Sequence, residues 1–325
     1  MATENDQALR LLGADILLGH LTSLQVQLPG VIQNDDIECL HKTRVASRRI
    51  RAALRLFGKQ FGKRSRDWTQ AIRRITRALS PARDLDVQLE FLGEFKAQLK
   101  RAGQRPGHAR LTLRLKQERQ AMQAKVAKEA KRLLHSATLS DMAIRTQEVR
   151  VQAELSGLQA RSPAIHLLAS KRVSSLLQAS LLFEPFISRP ECVQQLHDMR
   201  IAFKRLRYTL EAFGPAYEGR LNEFIQHSKS IQTLLGDIHD CDVWLVVLPL
   251  FLEQERQKTI DYFGHARPFR RFGPGITAIL EDRQARRIAL YERFRNHWRQ
   301  LREQEVWAAM LTTLSTPDPI PGDPA

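Results

Sequence analysis

Little in this chain breaks a helix or builds a strand. Only 16 glycines and 14 prolines are spread over 325 residues, and runs of Val, Ile, Thr and Tyr are missing, whereas Ala, Leu, Gln and Arg abound. That balance argues against a sheet-built domain and predicts an all-α fold. The three cysteines, Cys39, Cys192 and Cys241, are widely separated and odd in number. They form neither a CxxC nor a zinc spacing, so reduced thiols are expected. No stretch reaches the roughly 20 apolar residues of a membrane span. The start, MATENDQ, is polar and acidic and does not read as a secretory signal. A soluble, cytoplasmic protein is expected.

What is abundant is positive charge. Lys and Arg number 51 against 35 Asp and Glu, a net charge of +16. Such an excess costs stability through self-repulsion, and a polyanionic partner offsets it. Nucleic acid, an anionic membrane and phosphate chains all satisfy that requirement, and composition does not choose among them.

Apolar residues at helical spacing, interrupted by Pro or Gly, predict helices at about 6–28, 35–57, 64–80, 84–102, 108–136 and 139–156. After Ser162-Pro163 they continue at about 163–187, 191–213, 218–235, 239–262 and 275–313. The segment FGHARPFRRFGPG (263–275) reads as a loop. The tail, 315–325, holds four prolines and is expected to be disordered.

Self-comparison reveals an internal repeat. HKTRVASRRIRAALRLFG (41–58) and HDMRIAFKRLRYTLEAFG (197–214) share eight of 18 residues at an offset of 156. The offset holds without a gap through Phe61/Tyr217, Trp68/Phe224, Arg73/Lys229, Leu79/Leu235, Asp84/Asp240 and Asp86/Asp242. It fades after about residue 95. Two multi-helix units, 1–158 and 159–314, are expected, as tandem helical bundles.

At about 100° per residue, His41, Arg44, Arg48, Arg51 and Arg55 fall on one helical stripe. Ala46, Ile50, Ala53, Leu54 and Phe57 fall opposite, on the core face. His197, Arg200, Lys204 and Arg207 form the same stripe in the second copy, opposite Ala202, Leu206, Leu210 and Phe213. Arg49 and Arg205 flank it, and Glu211 interrupts it where the first copy has Arg55. On the following helix Arg73 and Arg77 share a face with Arg66, Lys229 matches Arg73, and the two basic faces are expected to line one groove. Most charge runs are solvated helix faces. Here the segment 41–57 holds no acid to intersperse with its arginines, and the basic positions recur in the second copy, so a binding surface is the stronger reading.

Neighbouring cations disfavour protonation of His41 and His197, and a bound polyanion reverses that, turning each imidazole into a donor. No HxxxH or HxH pair suggests a metal, and none is expected. Asp84 and Asp240 each follow a predicted helix stop, at Ser80-Pro81 and Gly236, and read as openers of new helices. They are also expected to orient a stripe arginine by bidentate pairing.

The pattern HxxRVxxRRxR at 41–51 and HxxRIxxKRLRY at 197–208, followed by RDLDV (83–87) and HDCDV (239–243), resembles the CHAD family, the conserved histidine α-helical domain. The resemblance spans nearly the whole chain. It implies two helical bundles related by a pseudo-two-fold axis, with basic residues around a central cavity or groove. It further implies binding of inorganic polyphosphate and association with cytoplasmic polyphosphate granules. Family members often adjoin a catalytic CYTH domain. No β-rich, Glu- and Lys-patterned segment precedes residue 6, so the chain resembles a stand-alone member. Ser80-Pro81 stands where the pattern usually has Leu-Gly (kept as Leu235-Gly236), and His239 where Arg is usual. The halves are therefore expected to contribute unequally.

Carried over by position, the resemblance points to His41, Arg44, Arg48, Arg49, Arg51, His197, Arg200, Lys204, Arg205 and Arg207. A phosphate chain offers charge on every unit and no base to stack, which suits a track of cations. A non-catalytic polyphosphate binder needing no cofactor is the leading expectation. A nucleic-acid or generic polyanion binder is the first alternative, against which the stripe lacks the exposed aromatics of single-strand binders. A metal-assisted polyphosphate hydrolase or phosphotransferase is the second; there is no Walker-type glycine loop or carboxylate cluster for it.

Overall fold

Two of the predicted helix breaks do not exist in the structure, a computed structural model that describes residues 4–315. Ser80-Pro81 lies inside one continuous helix, α3 (Arg64–Phe95), and Gly236 inside another, α8 (Asn222–Phe263). An interior proline costs about 3 kcal/mol. Leu79, Ala82, Leu85 and Leu92 are buried on either side of Pro81, and each fully buried leucine returns about 1.5–3 kcal/mol. Packing therefore overrides the break. Asp84 and Asp240 are mid-helical, not helix openers, which corrects that part of their expected role.

The remaining helices are α1 (Glu4–Gln33), α2 (Ile37–Phe57), α4 (Arg105–Leu134), α5 (Ala137–Ser156), α6 (Pro163–Leu181), α7 (Val193–Phe213), α9 (Gly273–Glu303) and α10 (Val306–Ser315). Among the described residues there is no strand, so the fold is all-α. The single helix expected at 275–313 is two, parted where Glu305 adopts a left-handed conformation (φ 50°). The tail expected to be disordered lies, but for Ser315 at the end of α10, outside the described residues. Among the described residues no helix is long and apolar enough to cross a membrane.

The expected division near residue 158 falls between α5 and α6, five helices to either side. The core crosses it. One continuous apolar cluster joins Leu17 and Leu21 of α1, Ile50 of α2 and Ile72 of α3 to Val173 of α6, Phe203 and Phe213 of α7, Ile231 of α8 and Phe294 of α9. All are fully buried. A second, smaller cluster (Leu92, Leu111, Leu248, Ile276, Ile279) holds the far ends of α3, α4, α8 and α9 together.

Buried ion pairs tie these long helices to one another. Asp86 of α3 accepts from Arg119 Nε of α4 at 2.7 Å, and Asp242 of α8 pairs with Arg287 of α9. Glu255, fully buried, accepts from Arg110 Nε at 2.5 Å and Arg114 Nε at 2.7 Å. Removing one partner of such a pair strands a buried charge and costs about 3–5 kcal/mol. Helices α4 and α9 meet backbone to backbone at two glycines. A Cβ on Gly107 would stand 2.1 Å from the Phe272 carbonyl oxygen, and one on Gly275 2.2 Å from that of Gln104.

Candidate functional site

Helices α2 and α7 run side by side in the same direction, because matched positions meet towards both of their ends. Near the C-termini the rings of Phe57 and Phe213 touch edge to face with centroids 5.6 Å apart. Nearer the N-termini, Arg44 feels the charge of Arg200 across the gap. The apolar faces pack inward as expected, with Ala46, Ile50, Ala53, Leu54 and Phe57 buried on α2. On α7 Leu206, Leu210 and Phe213 are buried, but Phe203 takes the core position and Ala202 is only half-buried. The basic stripes consequently face one another over a groove.

A pocket of about 290 Å³ opens between α2, α6 and α7. Arg48, Arg51 and Arg55 line one side, Lys204, Arg205 and Tyr208 the other, and Arg172 of α6 closes it. Burial, and after it mutual repulsion, is legible in the acidities of these groups. Burial, followed by the charges of Arg48, Arg200, Arg44 and Arg205, lowers Lys204 to about 7. Burial and Arg48 lower Arg44 to about 10. Arg51 is lowered by burial and by Arg73, Arg48 and Arg77, which places the cations of α3 at the same groove. Arg55 is lowered by burial and Arg205.

The histidines stand at the groove's N-terminal end. His41 is held below its ordinary value by burial and by Arg83, with Arg44 and Arg48 adding to it. Its Nδ1 is buried without a hydrogen-bond partner among the described residues. His197 Nδ1 lies 3.1 Å from His239 Nδ1, so one ring donates and the other accepts. Burial lowers both; His239 adds to it for His197, and Arg200 for His239.

The aspartates divide by helical geometry. Residues two apart on a helix project about 200° from each other, so Asp86 and Asp242 anchor neighbouring helices while Asp84 and Asp240 reach the groove. Asp84 meets Arg44 Nη2 through a single contact of 3.4 Å, not the expected fork. Burial raises the Asp240 carboxyl, with Arg200 the largest opposing influence. At the matched position Ser80 Oγ accepts from Arg44 Nε at 3.4 Å. Its counterpart is Gly236, where a Cβ would lie 3.3 Å from Arg200 Nε. That Nε is buried without a hydrogen-bond partner among the described residues.

Three expected residues lie elsewhere or are engaged. Arg49 lines a separate crevice between α1, α2 and α7, where burial, with Arg49 adding to it, pushes His20 down to about 4. Arg49 and Arg207 share the carboxylate of Glu211, at 3.4 and 3.6 Å. Lys229 lines a groove between α8 and α9 together with Arg293 and His297. The pattern search missed Arg83, Arg172 and Tyr208. Arg83 had a signal, since it begins the RDLDV element, but its counterpart is His239 and identity matching skipped it. Arg172 lies where the repeat offers no match.

A family model described as the CHAD domain matches residues 15–249. Among solved structures the chain is similar to the CHAD domain from the plant Ricinus communis, with 23% identity, 91% of this chain and 93% of that one covered, and a TM-score of 0.59. It is also similar to PptA from Streptomyces chartreusis, with 15% identity, 89% and 98% covered, and a TM-score of 0.54. No curated protein matches the sequence. At these identities the two structures speak for the fold alone.

Proposed function

We propose that this chain, which belongs to the CHAD family, binds inorganic polyphosphate in the groove between α2 and α7 without transforming it, each half of the molecule supplying one wall. The observation that carries this reading is the gathering of Arg44, Arg48 and Arg51 with Arg200, Lys204 and Arg205 at one groove, where burial, and after it the neighbouring charges, bring a lysine to about 7. A site with so many uncompensated cations gains most from a ligand that is charged along its whole length. Arginine forks bind phosphate oxygens in pairs. Recruitment to polyphosphate granules follows from such binding.

Competition tests it. Long-chain polyphosphate is expected to displace a labelled DNA duplex at matched charge concentration, and the duplex not to displace polyphosphate. Equal competition per charge reduces the groove to a generic polyanion site. Shortening of the chain with Mg²⁺ or Mn²⁺, lost in His41→Ala or His197→Ala, would make the groove catalytic instead.

A further inference from the structure

The segment FGHARPFRRFGPG, expected as a loop, runs from the last residue of α8 into the first turn of α9 and lies outside the groove. Gly264, at φ 74°, closes α8 with its N–H on the Ile260 carbonyl at 2.7 Å. A short helical turn, Arg267–Arg271, follows. Phe272 then anchors the loop, buried, with the guanidinium carbons of Arg110 and Arg271 at 5.6 and 5.1 Å from its ring centre. The Gly107/Gly275 crossing brings the turn at 96–105 against the end of this loop, since Gly275 packs on the Gln104 carbonyl. Six exposed cations thereby gather at one end of the molecule: Lys100, Arg101, Arg105, Arg267, Arg270 and Arg271.

Beside them two aromatic rings face solvent. Tyr262 is 82% and Phe263 54% exposed, with ring centres 4.7 Å apart and planes at 77°. Single exposed hydrophobics are ordinary. A pair of aromatics at the end of α8, directly before the turn that carries Arg267, Arg270 and Arg271, is a different matter, because it sets a surface for stacking beside a cationic one. From residue 256 to 275 the one carboxylate is Asp261, which already accepts from Gln257 at 2.7 Å.

We propose that this end of the molecule is a second anion site that binds single-stranded nucleic acid, with bases stacked on Tyr262 and Phe263 and the phosphodiester backbone held by the surrounding cations. Bases stack on aromatic faces with little regard to sequence, and arginines track the backbone. An inorganic phosphate chain has no ring to use that platform. A membrane surface needs a continuous apolar face to bury, and the two rings are bounded by Asp261, Gly264 and His265. The proposal does not rest on the ligand of the α2–α7 groove.

Fluorescence anisotropy on the full chain, with short labelled oligo(dT) and oligo(U), decides it. Tyr262→Ala with Phe263→Ala changes no charge and alters two solvent-facing side chains. It is expected to weaken oligonucleotide binding about tenfold while leaving affinity for long-chain polyphosphate as it was. A duplex of the same charge is expected to bind more weakly than the single strand. The proposal is overturned if the aromatic double variant binds the oligonucleotides as tightly as the parent, or if duplex and single strand bind equally per charge. It is overturned equally if oligonucleotide affinity collapses in Arg48→Glu with Lys204→Glu instead. Sedimentation with phosphatidylserine vesicles that is lost in the aromatic variant, while oligonucleotide binding is retained, would make this a lipid site.

Discussion

Along α2 the groove is walled by arginines and a histidine, with no carboxylate from residue 41 to the end of the helix. Along α7 the matched positions carry Lys204 in place of Arg48 and Glu211 in place of Arg55, and Glu211 draws Arg207 and Arg49 to itself. Across from the α2 histidine stands Arg83; across from the α7 histidine stands His239. Two walls of matched sequence thus differ in kind. One carries arginines at the matched positions, while the other carries a lysine lowered to about 7 and a glutamate that draws two arginines to itself. Equivalent positions do not make equivalent sites when the groups differ in acidity.

The largest expected effect comes from reversing both walls at once. Arg48→Glu with Lys204→Glu should weaken polyphosphate binding by about a hundredfold or more, flatten its salt dependence and leave helicity by circular dichroism unchanged. The single changes sharpen the comparison. Arg48→Glu should cost more than Lys204→Glu at pH 8, because Lys204 is by then largely neutral in the free protein. Equal costs would mean the walls act alike.

The pH dependence comes next. With a free-state value of about 7, Lys204 must take up a proton when a polyanion binds above neutrality. Affinity should therefore fall by up to about fiftyfold between pH 7 and 9, and calorimetry in buffers of different ionisation heat should register the uptake. Lys204→Arg should remove the larger share of both effects above pH 7, leaving the smaller uptake by His41 and His197. The same group acts on stability in the opposite sense. Its folded value lies below the ordinary 10.5, so the unfolded chain holds more protons between about pH 7 and 10.5, and unliganded stability rises with pH through that window. Urea midpoints of the parent and of Lys204→Met should converge as pH climbs.

Smaller effects are expected from making the walls alike. His239→Arg should tighten binding about threefold at pH 8, where both histidines are neutral. Ser80→Gly removes the acceptor of Arg44 Nε and a helix-favouring residue, a loss of about 1 kcal/mol in stability. Gly236→Ser gives Arg200 Nε the acceptor it lacks and should gain about 0.5 kcal/mol. A loss there would mean that the 3.3 Å approach of Arg200 leaves no room for a side chain.

The helices and the basic stripe were legible in the sequence because both rest on periodicity, and periodicity survives packing. Pro81 and Gly236 misled because their local preferences are worth about 1–3 kcal/mol and the flanking apolar faces outweigh them. Gly236 proves to matter for another reason, the guanidinium lying across it, which no one-dimensional pattern reveals. The aspartate pairs were found as a motif, but their division of labour depends on which helix lies 200° round. Arg172 was invisible because α6 approaches the groove from a part of the chain that matches nothing in the first half. Arg49 read as part of the stripe's flank, and only the position of α1 shows that it faces the other way.

Under the proposed function, the shared apolar core bears on how a long polymer would be loaded. Prising α2 from α7 would open the contact of Phe57 with Phe213 and the buried cluster behind it, so the groove does not gape to admit a ligand. Its cations are half-exposed along the outer face instead, and a chain can lie down from the side at any point without offering an end. Saturation should then follow the length of polymer each molecule covers, not the number of termini. Several copies would sit like beads along a single strand, and short chains would compete with it for each groove.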